Sequence, residues 1–272
     1  MDHSANLSSF LATHAVFAVD DLTRYLAQRG STNQNTRKAL LTYYRSRGRI
    51  ISIRRGLYAT VPPGHSPETY SVDPFLLAAK MAEDAVLAYH TALEYHGNAY
   101  ASHSRFVYAS ERRTQPVRFR GHDYVRVAMP HALRTTDQRM FGVESNDRDG
   151  VELRVTGYER TFVDLLDRPE LSGTWEEIWR SLESIEFFDL ERVVHYVELL
   201  RNATTAAKVG FFLDQHRETL MVGDTTIGSL KRLIPTQPHY MTRSSRTQSR
   251  LVSEWNLLVP QEILNLSWAE VQ

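Results

Sequence analysis

The chain has 272 residues, of which 42% are hydrophobic and 10% aromatic, so it is long enough for two domains with apolar cores. It has no cysteine, which excludes a disulfide framework, a thiolate metal site and a cysteine nucleophile. The 32 Lys and Arg balance the 32 Asp and Glu, but the first 62 residues hold nine bases and only three acids. Such a basic segment attracts the phosphates of nucleic acid.

The start of the chain does not resemble a secretory signal, because Asp2 and His3 stand where such a signal has positive charge. No apolar run reaches the roughly 18 residues that a membrane span needs. Together with the absence of cysteine, these features predict a cytoplasmic protein that makes no membrane contact.

The N-terminal segment has three stretches with helical periodicity. Residues 7–11 predict a leading helix that serves as scaffold. A second helix can be capped by Asp20 or Asp21 and ended by Gly30. The polar side chains at 31–33 can cap a third helix, which runs up to Gly48.

Two short strands follow, at 50–53 and 57–60, joined by a tight turn at 54–56. Helix, turn, helix and basic hairpin predict a DNA-binding winged helix-turn-helix domain, in which the start of the last helix enters the major groove. Base-edge contacts are expected there, and further DNA contacts along the same helix and at the wing tip, where phosphate or minor groove is the expected target. The expected DNA-binding residues are Asn33, Gln34, Asn35, Thr36, Arg37, Lys38, Arg45, Arg47, Arg54 and Arg55. The alternative interpretation is a solvated basic helix in a protein-interaction module.

The segment Pro62–Pro67 is rich in proline, which breaks helices and withholds a ladder hydrogen bond, and it predicts a linker. We therefore expect a winged helix-turn-helix domain at 1–65 and a C-terminal α/β domain at 66–272.

Beyond the linker, Asp73 or Ser71 can cap a core helix, and a second helix over 87–97 ends at Gly97. This second helix carries His90 and His96. Six residues rotate by about 240° on a helix, so these histidines cannot share a metal from one face. Packing or capping is the expected role of both.

From Arg105 the hydrophobic period becomes two, which predicts one small sheet with strands at 106–109, 117–120, 124–129 and 151–155. Residues 146–150 should join strands as a turn. Arg118, Arg120 and Arg126 can line one side of the sheet, where they either meet nucleic acid or only provide solubility.

The remainder is mostly helical, with apolar stripes that predict helices at 159–166, 175–182, 189–200 and 205–216. The basic segment Met241–Arg250 predicts a loop, either solvated or holding phosphate or a partner's carboxylates, and Leu257–Pro260 predicts an edge strand. The predicted class is α+β, with an N-terminal winged helix-turn-helix followed by a mixed α/β domain that has a small sheet and several helices.

An enzyme is not expected, because no convergent carboxylates, phosphate-binding glycine loop or nucleophile elbow is found. Glu159 and Asp164 point to different sides of a helix. Arg160 and Asp164 have the spacing of a helix-surface pair, which contributes a few tenths of a kcal/mol. We therefore expect no catalytic residue, no metal ligand and no cofactor.

The order of four segments resembles the AbiEi antitoxins of bacterial abortive-infection (type IV) toxin–antitoxin systems over nearly the whole chain. These segments are RRGLYA (54–59), LAYHTALEYHG (87–97), GYERTFVDLLDRPELSG (157–173) and AAKVGFFLD (206–214). The third and fourth together are the more specific part of the resemblance. The stretch between Gly30 and Gly48 is longer and richer in Asn and Tyr than is usual in the family.

The resemblance implies a transcriptional regulator that binds operator repeats in its own promoter and opposes a nucleotidyltransferase-like toxin, in defence against phage. It also implies that the C-terminal domain is needed for antitoxicity. The alternatives are a protein-interaction module that binds a toxin directly, with the winged helix as scaffold, and a nucleic-acid-processing enzyme.

Overall fold

The computed structural model describes residues 3–242 and 248–266. Helices and small sheets are mixed along the chain, which confirms the α+β class. No helix within the described ranges is long and apolar enough to cross a membrane. The chain forms two compact units. The first comprises Met1–Leu87, Ser104–Val127 and Ser145–Val155, and the second comprises Ala88–His103, Ala128–Glu144 and Thr156–Gln272.

The first unit begins with three helices and a three-stranded antiparallel sheet of order β1-β3-β2. Their shared core contains Phe10, Phe17, Leu22 and Leu26, and Tyr44 completes it from the last helix. Aromatic and aliphatic side chains at helical spacing thus bury one face of each helix. The elements are α1 (His3–Thr13), β1 (Val16–Ala18), α2 (Val19–Gln28), α3 (Gln34–Ser46), β2 (Ile50–Arg54) and β3 (Leu57–Thr60).

The observed N-cap of α3 is one of the residues predicted for it, whereas the observed N-cap of α2 differs from the prediction. Asn33 is the N-cap of α3, and its side-chain oxygen accepts the Asn35 N–H at 2.8 Å. At α2 the expected cap, Asp20 or Asp21, is wrong, because the helix begins earlier and Ala18 occupies the N-cap position. Asp21 instead stands in the first turn, where its carboxylate accepts the Ala18 N–H at 2.9 Å.

A six-stranded sheet of order β6-β7-β5-β4-β9-β8 follows, which confirms one sheet and adds two strands to the four predicted, one of two residues and one of six. The longer of them, Val143–Arg148, takes in residues 146–148 of the predicted turn, so that prediction is wrong for these three residues. β5 and β7 are parallel, whereas β6 pairs with β7 as a hairpin. The helix α4 (Pro74–Lys80) is capped by Asp73, one of the two predicted caps. It packs Phe75 edge-on against Phe106 of β5, with 5.5 Å between ring centroids. The strands are β4 (Val86–Leu87), β5 (Arg105–Ala109), β6 (Val117–Phe119), β7 (His122–Val127), β8 (Val143–Arg148) and β9 (Val151–Thr156).

The proline-rich segment does not separate two units. A Cβ added at Gly48 would lie 3.0 Å from the side chain of Pro67, and the Pro67 carbonyl accepts a hydrogen bond from Arg120. Asp73 pairs with Arg148 at 2.7 Å. Because these contacts tie residues 62–73 into the first unit, the compact units divide the chain elsewhere than at the predicted boundary after residue 65.

The second unit is a cluster of helices with a three-stranded sheet of order β10-β12-β11. The predicted edge strand is wrong, because β12 lies in the centre, parallel to β10 and antiparallel to β11. Residues 243–247 of the predicted loop Met241–Arg250 lie outside the described residues, and β11 begins within the remainder. The elements are α5 (His90–His96), α6 (His131–Thr135), α7 (Tyr158–Asp167), α8 (Trp175–Glu183), α9 (Leu190–Leu200), α10 (Ala203–Gln215), α11 (Asp224–Lys231), β10 (His239–Tyr240), β11 (Ser249–Val252), β12 (Leu257–Pro260) and α12 (Gln261–Leu264).

The third segment of the family resemblance, residues 157–173, contributes α7 to the core of the second unit. On α7, Arg160 and Asp164 are a buried pair at 3.4 Å, not the surface pair that the spacing predicted. The guanidinium also donates to the carbonyls of Arg139 at 2.9 Å and Phe141 at 2.7 Å, and the Tyr196 hydroxyl donates to Asp164 at 2.6 Å. Burial raises the pKa of Asp164 to about 6, against the lowering effect of Arg160 and Tyr196.

Candidate nucleic-acid interface

The helix α3 presents one polar face to solvent and buries the opposite one. Asn35, Lys38, Thr42 and Arg45 are all exposed, whereas Tyr44 is buried in the core shared with α1 and α2. At 3.6 residues per turn these four positions lie within about 80° of one another on the helix. The polar face is therefore a continuous surface that can meet a groove.

The expected base-reading residues at the start of α3 do not all lie on that face. Gln34 and Asn35 are exposed, whereas Thr36 and Arg37 are half-buried. Arg37 turns toward α2, where its Nη1 donates to the Thr23 hydroxyl at 2.8 Å. Its Nε is buried and has no hydrogen-bond partner among the described residues. Asn33 is committed to capping the helix.

Two of the expected DNA-binding residues are exposed at the C-terminal end of α3. Arg45 and Arg47 are exposed, and the Arg47 guanidinium lies 4.8 Å from the ring centre of Tyr43. Tyr43 is itself 44% exposed. A cation held over an aromatic ring keeps its outward donors available for an anion.

The two expected wing residues have different surroundings. Arg54 is half-buried and its Nη2 donates to the Met81 carbonyl at 2.7 Å. Arg55 is exposed at the turn, where Gly56 has a φ of +82° and its carbonyl accepts the Val19 N–H at 2.9 Å. The turn thus packs on the start of α2, and of the two arginines only Arg55 is exposed.

Asp21 organises the basic groups near this turn. It pairs with Arg24 at 2.6 Å and with Lys80 at 3.3 Å, in addition to its bond with the Ala18 N–H. Burial raises the pKa of Asp21, but the Ala18 N–H, Lys80 and Arg24 outweigh it, so the net pKa lies below its ordinary value. The carboxylate is therefore ionised at neutral pH and neutralises part of this charge.

The two compact units carry net charges of opposite sign. The first unit has 18 Lys and Arg against 12 Asp and Glu, whereas the second has 14 against 20. Outside α3, the first unit exposes five further arginines on its six-stranded sheet and the adjoining loop, namely Arg105, Arg112, Arg113, Arg118 and Arg120. Arg126, expected with Arg118 and Arg120 on one side of the sheet, instead donates from Nε to the Ser110 carbonyl at 2.9 Å.

The histidines singled out in the sequence are packed within the second unit. His96 is hydrogen-bonded through Nε2 to the carbonyl oxygen of Thr156 at 2.8 Å. His90 stacks on His103 with ring centroids 3.6 Å apart, and burial together with His103 lowers the pKa of His90 to about 4. Among the described residues, no group of three or more His, Asp or Glu is arranged to hold a metal.

A cavity of the second unit has a volume of about 1200 Å³ and is lined by Asp167, Arg168, Trp175 and Lys208, among others. The Lys208 ammonium is buried and donates to the Leu166 carbonyl at 2.9 Å. The AAKVGFFLD segment thus contributes a structural hydrogen bond here.

The chain was compared with protein families, curated proteins and solved structures. No family model matches the sequence, and no curated protein matches it. The fold is similar to the crystal structure of the Rv2827c protein from Mycobacterium tuberculosis, with a TM-score of 0.61. The similarity covers 98% of this chain and 94% of that chain at 18% sequence identity. At this identity the comparison establishes a shared fold and nothing further.

Proposed function

We propose that residues 3–61 form a winged helix-turn-helix that binds double-stranded DNA, with α2 and α3 as the helix pair and β2–β3 as the wing. The observation that carries this proposal is the exposed face of α3, with Asn35, Lys38 and Arg45 on one side of the helix. Asn can pair with adenine and Lys with guanine in the major groove. A basic surrounding surface supplies the phosphate contacts that dominate affinity.

The structure supports a narrower set of DNA contacts than the sequence did. Gln34, Asn35 and Lys38 are available to read bases, and Arg45, Arg47 and Arg55 to hold phosphates. Arg37 and Arg54 are engaged by Thr23 and Met81, so we assign them to the support of α3 and of the wing.

The test measures fluorescence anisotropy of the full-length protein on the duplex upstream of its own gene and on a scrambled duplex of equal length. Asn35→Ala/Lys38→Ala removes contacts that each discriminate by roughly 1–3 kcal/mol, so it should weaken upstream binding at least tenfold more than scrambled binding. The matched control, Gln115→Ala/Arg113→Ala, removes one amide and one charge from an exposed loop of the same unit. Equal losses on both duplexes would reject base reading, and failure of the wild type to bind either duplex would reject the function.

We further propose, from the resemblance to the AbiEi antitoxins, that the protein represses its own operon and neutralises a nucleotidyltransferase-like toxin. The third and fourth segments of the resemblance lie in the second unit, so we assign the antitoxin role to it. The excess of acids there favours direct contact with a basic partner as the second candidate mode of action.

Co-expression tests this assignment. Asn35→Ala/Lys38→Ala should relieve repression of a reporter under the upstream region and still restore growth to cells that express the toxin. Loss of rescue in a folded variant would place antitoxicity on the DNA-binding surface instead. Co-purification of the toxin with the wild type separates direct contact from indirect opposition.

A further inference from the structure

We propose that the β6–β7 hairpin is a second contact with the phosphate backbone of duplex DNA, beside the C-terminal end of α3. The inference rests on the proposed DNA binding and extends it to residues outside the winged helix. The hairpin belongs to the same compact unit as α3.

The hairpin has a tight tip at the outer edge of the six-stranded sheet. Phe119 pairs with His122, so Arg120 and Gly121 form a two-residue turn. Their φ angles are +49° and +83°, which is the left-handed geometry of the turns that favour strand twist. Because β6 is the outermost strand, this tip has no further strand beside it among the described residues.

Three exposed arginines meet at this end of the sheet. Strand register places Arg118 opposite Asp123, and Asp123 opposite Arg105 of β5. The Arg118 side chain is 78% exposed, and its Nε lies 3.8 Å from the Asp123 carboxylate. An ion pair at this distance and exposure is weak, so Asp123 does not neutralise the charge of Arg118. Arg105 and Arg120 are exposed as well. We call Arg105, Arg118 and Arg120 the hairpin arginines.

Arg120, at the tip of the hairpin, lies next to the end of α3. Arg120 donates to the Pro67 carbonyl, and the Pro67 ring lies against Gly48, which follows Arg47 directly. One residue thus separates the hairpin tip from the basic end of the proposed recognition helix. The nearby acids are Asp123 and Glu68, the latter within the electrostatic range of Arg120.

The exposed bases outnumber the nearby acids. The hairpin arginines together with Arg45 and Arg47 are five exposed bases, against the two acids Asp123 and Glu68. Double-stranded DNA carries one charge per about 1.7 Å of helix axis, so several exposed bases can each meet a phosphate. A role in solubility alone would not require that Arg120 be held beside the end of α3.

The test compares two double variants with equal loss of charge. Arg105→Ala/Arg118→Ala alters the proposed contact and leaves the bond between Arg120 and Pro67 in place. Arg112→Ala/Arg113→Ala is the control, because both arginines follow the opposite end of β5 and Arg112 pairs with Glu83. Binding to the upstream duplex is measured by anisotropy at several salt concentrations, with the wild type alongside.

The hairpin variant should flatten the slope of log K against log salt by about 0.9 for each lost phosphate contact, and so by about 1.8 in total. The control should keep the wild-type slope. If the wild type binds and both variants match it, or both lose equally, the hairpin contact is refuted while the proposed DNA binding stands. If the wild type does not bind duplex DNA, the proposed function fails and this inference fails with it.

Discussion

In the middle of α10, the backbone of Gly210 lies against the indole ring of Trp255. Trp255 is fully buried and donates from Nε1 to Asp214 at 3.1 Å, which fixes the ring beside the helix. Any side chain at position 210 would overlap this ring. The glycine in AAKVGFFLD is therefore required by packing, and nothing in the sequence pattern alone could separate that cause from a functional one.

Gly210→Ala should lower the free energy of unfolding by roughly 1–3 kcal/mol, because overpacking forces the helix or the ring to move. Gly228→Ala is the control, since its added Cβ meets no atom within 4 Å on α11. Alanine in a helix interior should stabilise the control by roughly 0.5–1 kcal/mol relative to glycine. Urea unfolding followed by circular dichroism measures both. A Gly210→Ala variant as stable as the wild type would contradict the packing account.

The buried pair of Arg160 and Asp164 should contribute more to stability than an exposed pair with the same spacing. Arg160→Met should cost roughly 3–5 kcal/mol, because it leaves a buried carboxylate without its cation. Arg180 and Glu176 have the same spacing on α8 but are partly exposed, so Arg180→Met should cost no more than about 1 kcal/mol. Thermal unfolding of the two variants compares them. Similar costs would mean that burial of the first pair is unimportant.

At the level of the elements, the Asp21 carboxylate stabilises the N-terminal end of α2. Asp21 accepts the Ala18 N–H and pairs with Lys80 of α4, so it joins two helices of the first unit. Asp21→Asn should cost roughly 0.5–2 kcal/mol at pH 7, the usual range for a lost cap. Asp20→Asn, at the neighbouring exposed position, should cost much less.

The pH dependence of this cost follows from the lowered pKa of Asp21. In the unfolded chain the carboxyl has its ordinary pKa of 3.8, and the folded value is lower. The unfolded state therefore binds the proton first as the pH falls, and the stabilisation present above pH 3.8 is lost as the pH falls through the folded pKa. The stability difference between wild type and Asp21→Asn should shrink across that window. A difference that stays constant down to pH 2 would contradict the ionic contribution.

The periodicity of hydrophobic residues predicted the long helices. It missed elements that form only because a distant part of the chain pairs with them. The stripes of α1, α3 and α9 reflect one buried face each, so they could be read directly. β10 has two exposed residues and exists because β12 supplies its hydrogen bonds. The apolar sequence of β12 fits an edge strand and a central strand equally well. Its central position is set by its pairing with two strands, β10 and β11.

The sequence alone could not predict which side chains of the proposed DNA-binding site are exposed. A count of charges indicates a basic segment, but which bases face solvent depends on tertiary contacts. Arg37 and Arg54 are drawn to Thr23 and Met81, partners that are 14 and 27 residues away in sequence. The hairpin arginines carry a weak sequence signal, because exposed strand positions are commonly basic.

For the whole molecule, the sequence suggested two domains of opposite charge, and the structure has two compact units with excesses of opposite sign. The division differs from the prediction because segments distant in sequence complete the first unit, including β5 and β7. The proline-rich stretch 62–67 fits a linker by composition, yet its contacts with Gly48 and Arg120 make it part of that unit.

The central claim is that the first unit binds duplex DNA through α3, and the dependence of binding on salt tests it most directly. The affinity of the full-length protein for its upstream duplex should fall linearly in log K against log salt. Arg45→Ala/Arg47→Ala/Arg55→Ala, which removes the three proposed phosphate contacts, should flatten that slope by about 2.7, at about 0.9 per phosphate contact. Arg192→Ala/Lys231→Ala/Arg232→Ala, which removes three exposed charges from the second unit, should leave the slope unchanged. A wild-type affinity that is absent or independent of salt, or two triple variants that change the slope equally, would contradict the claim.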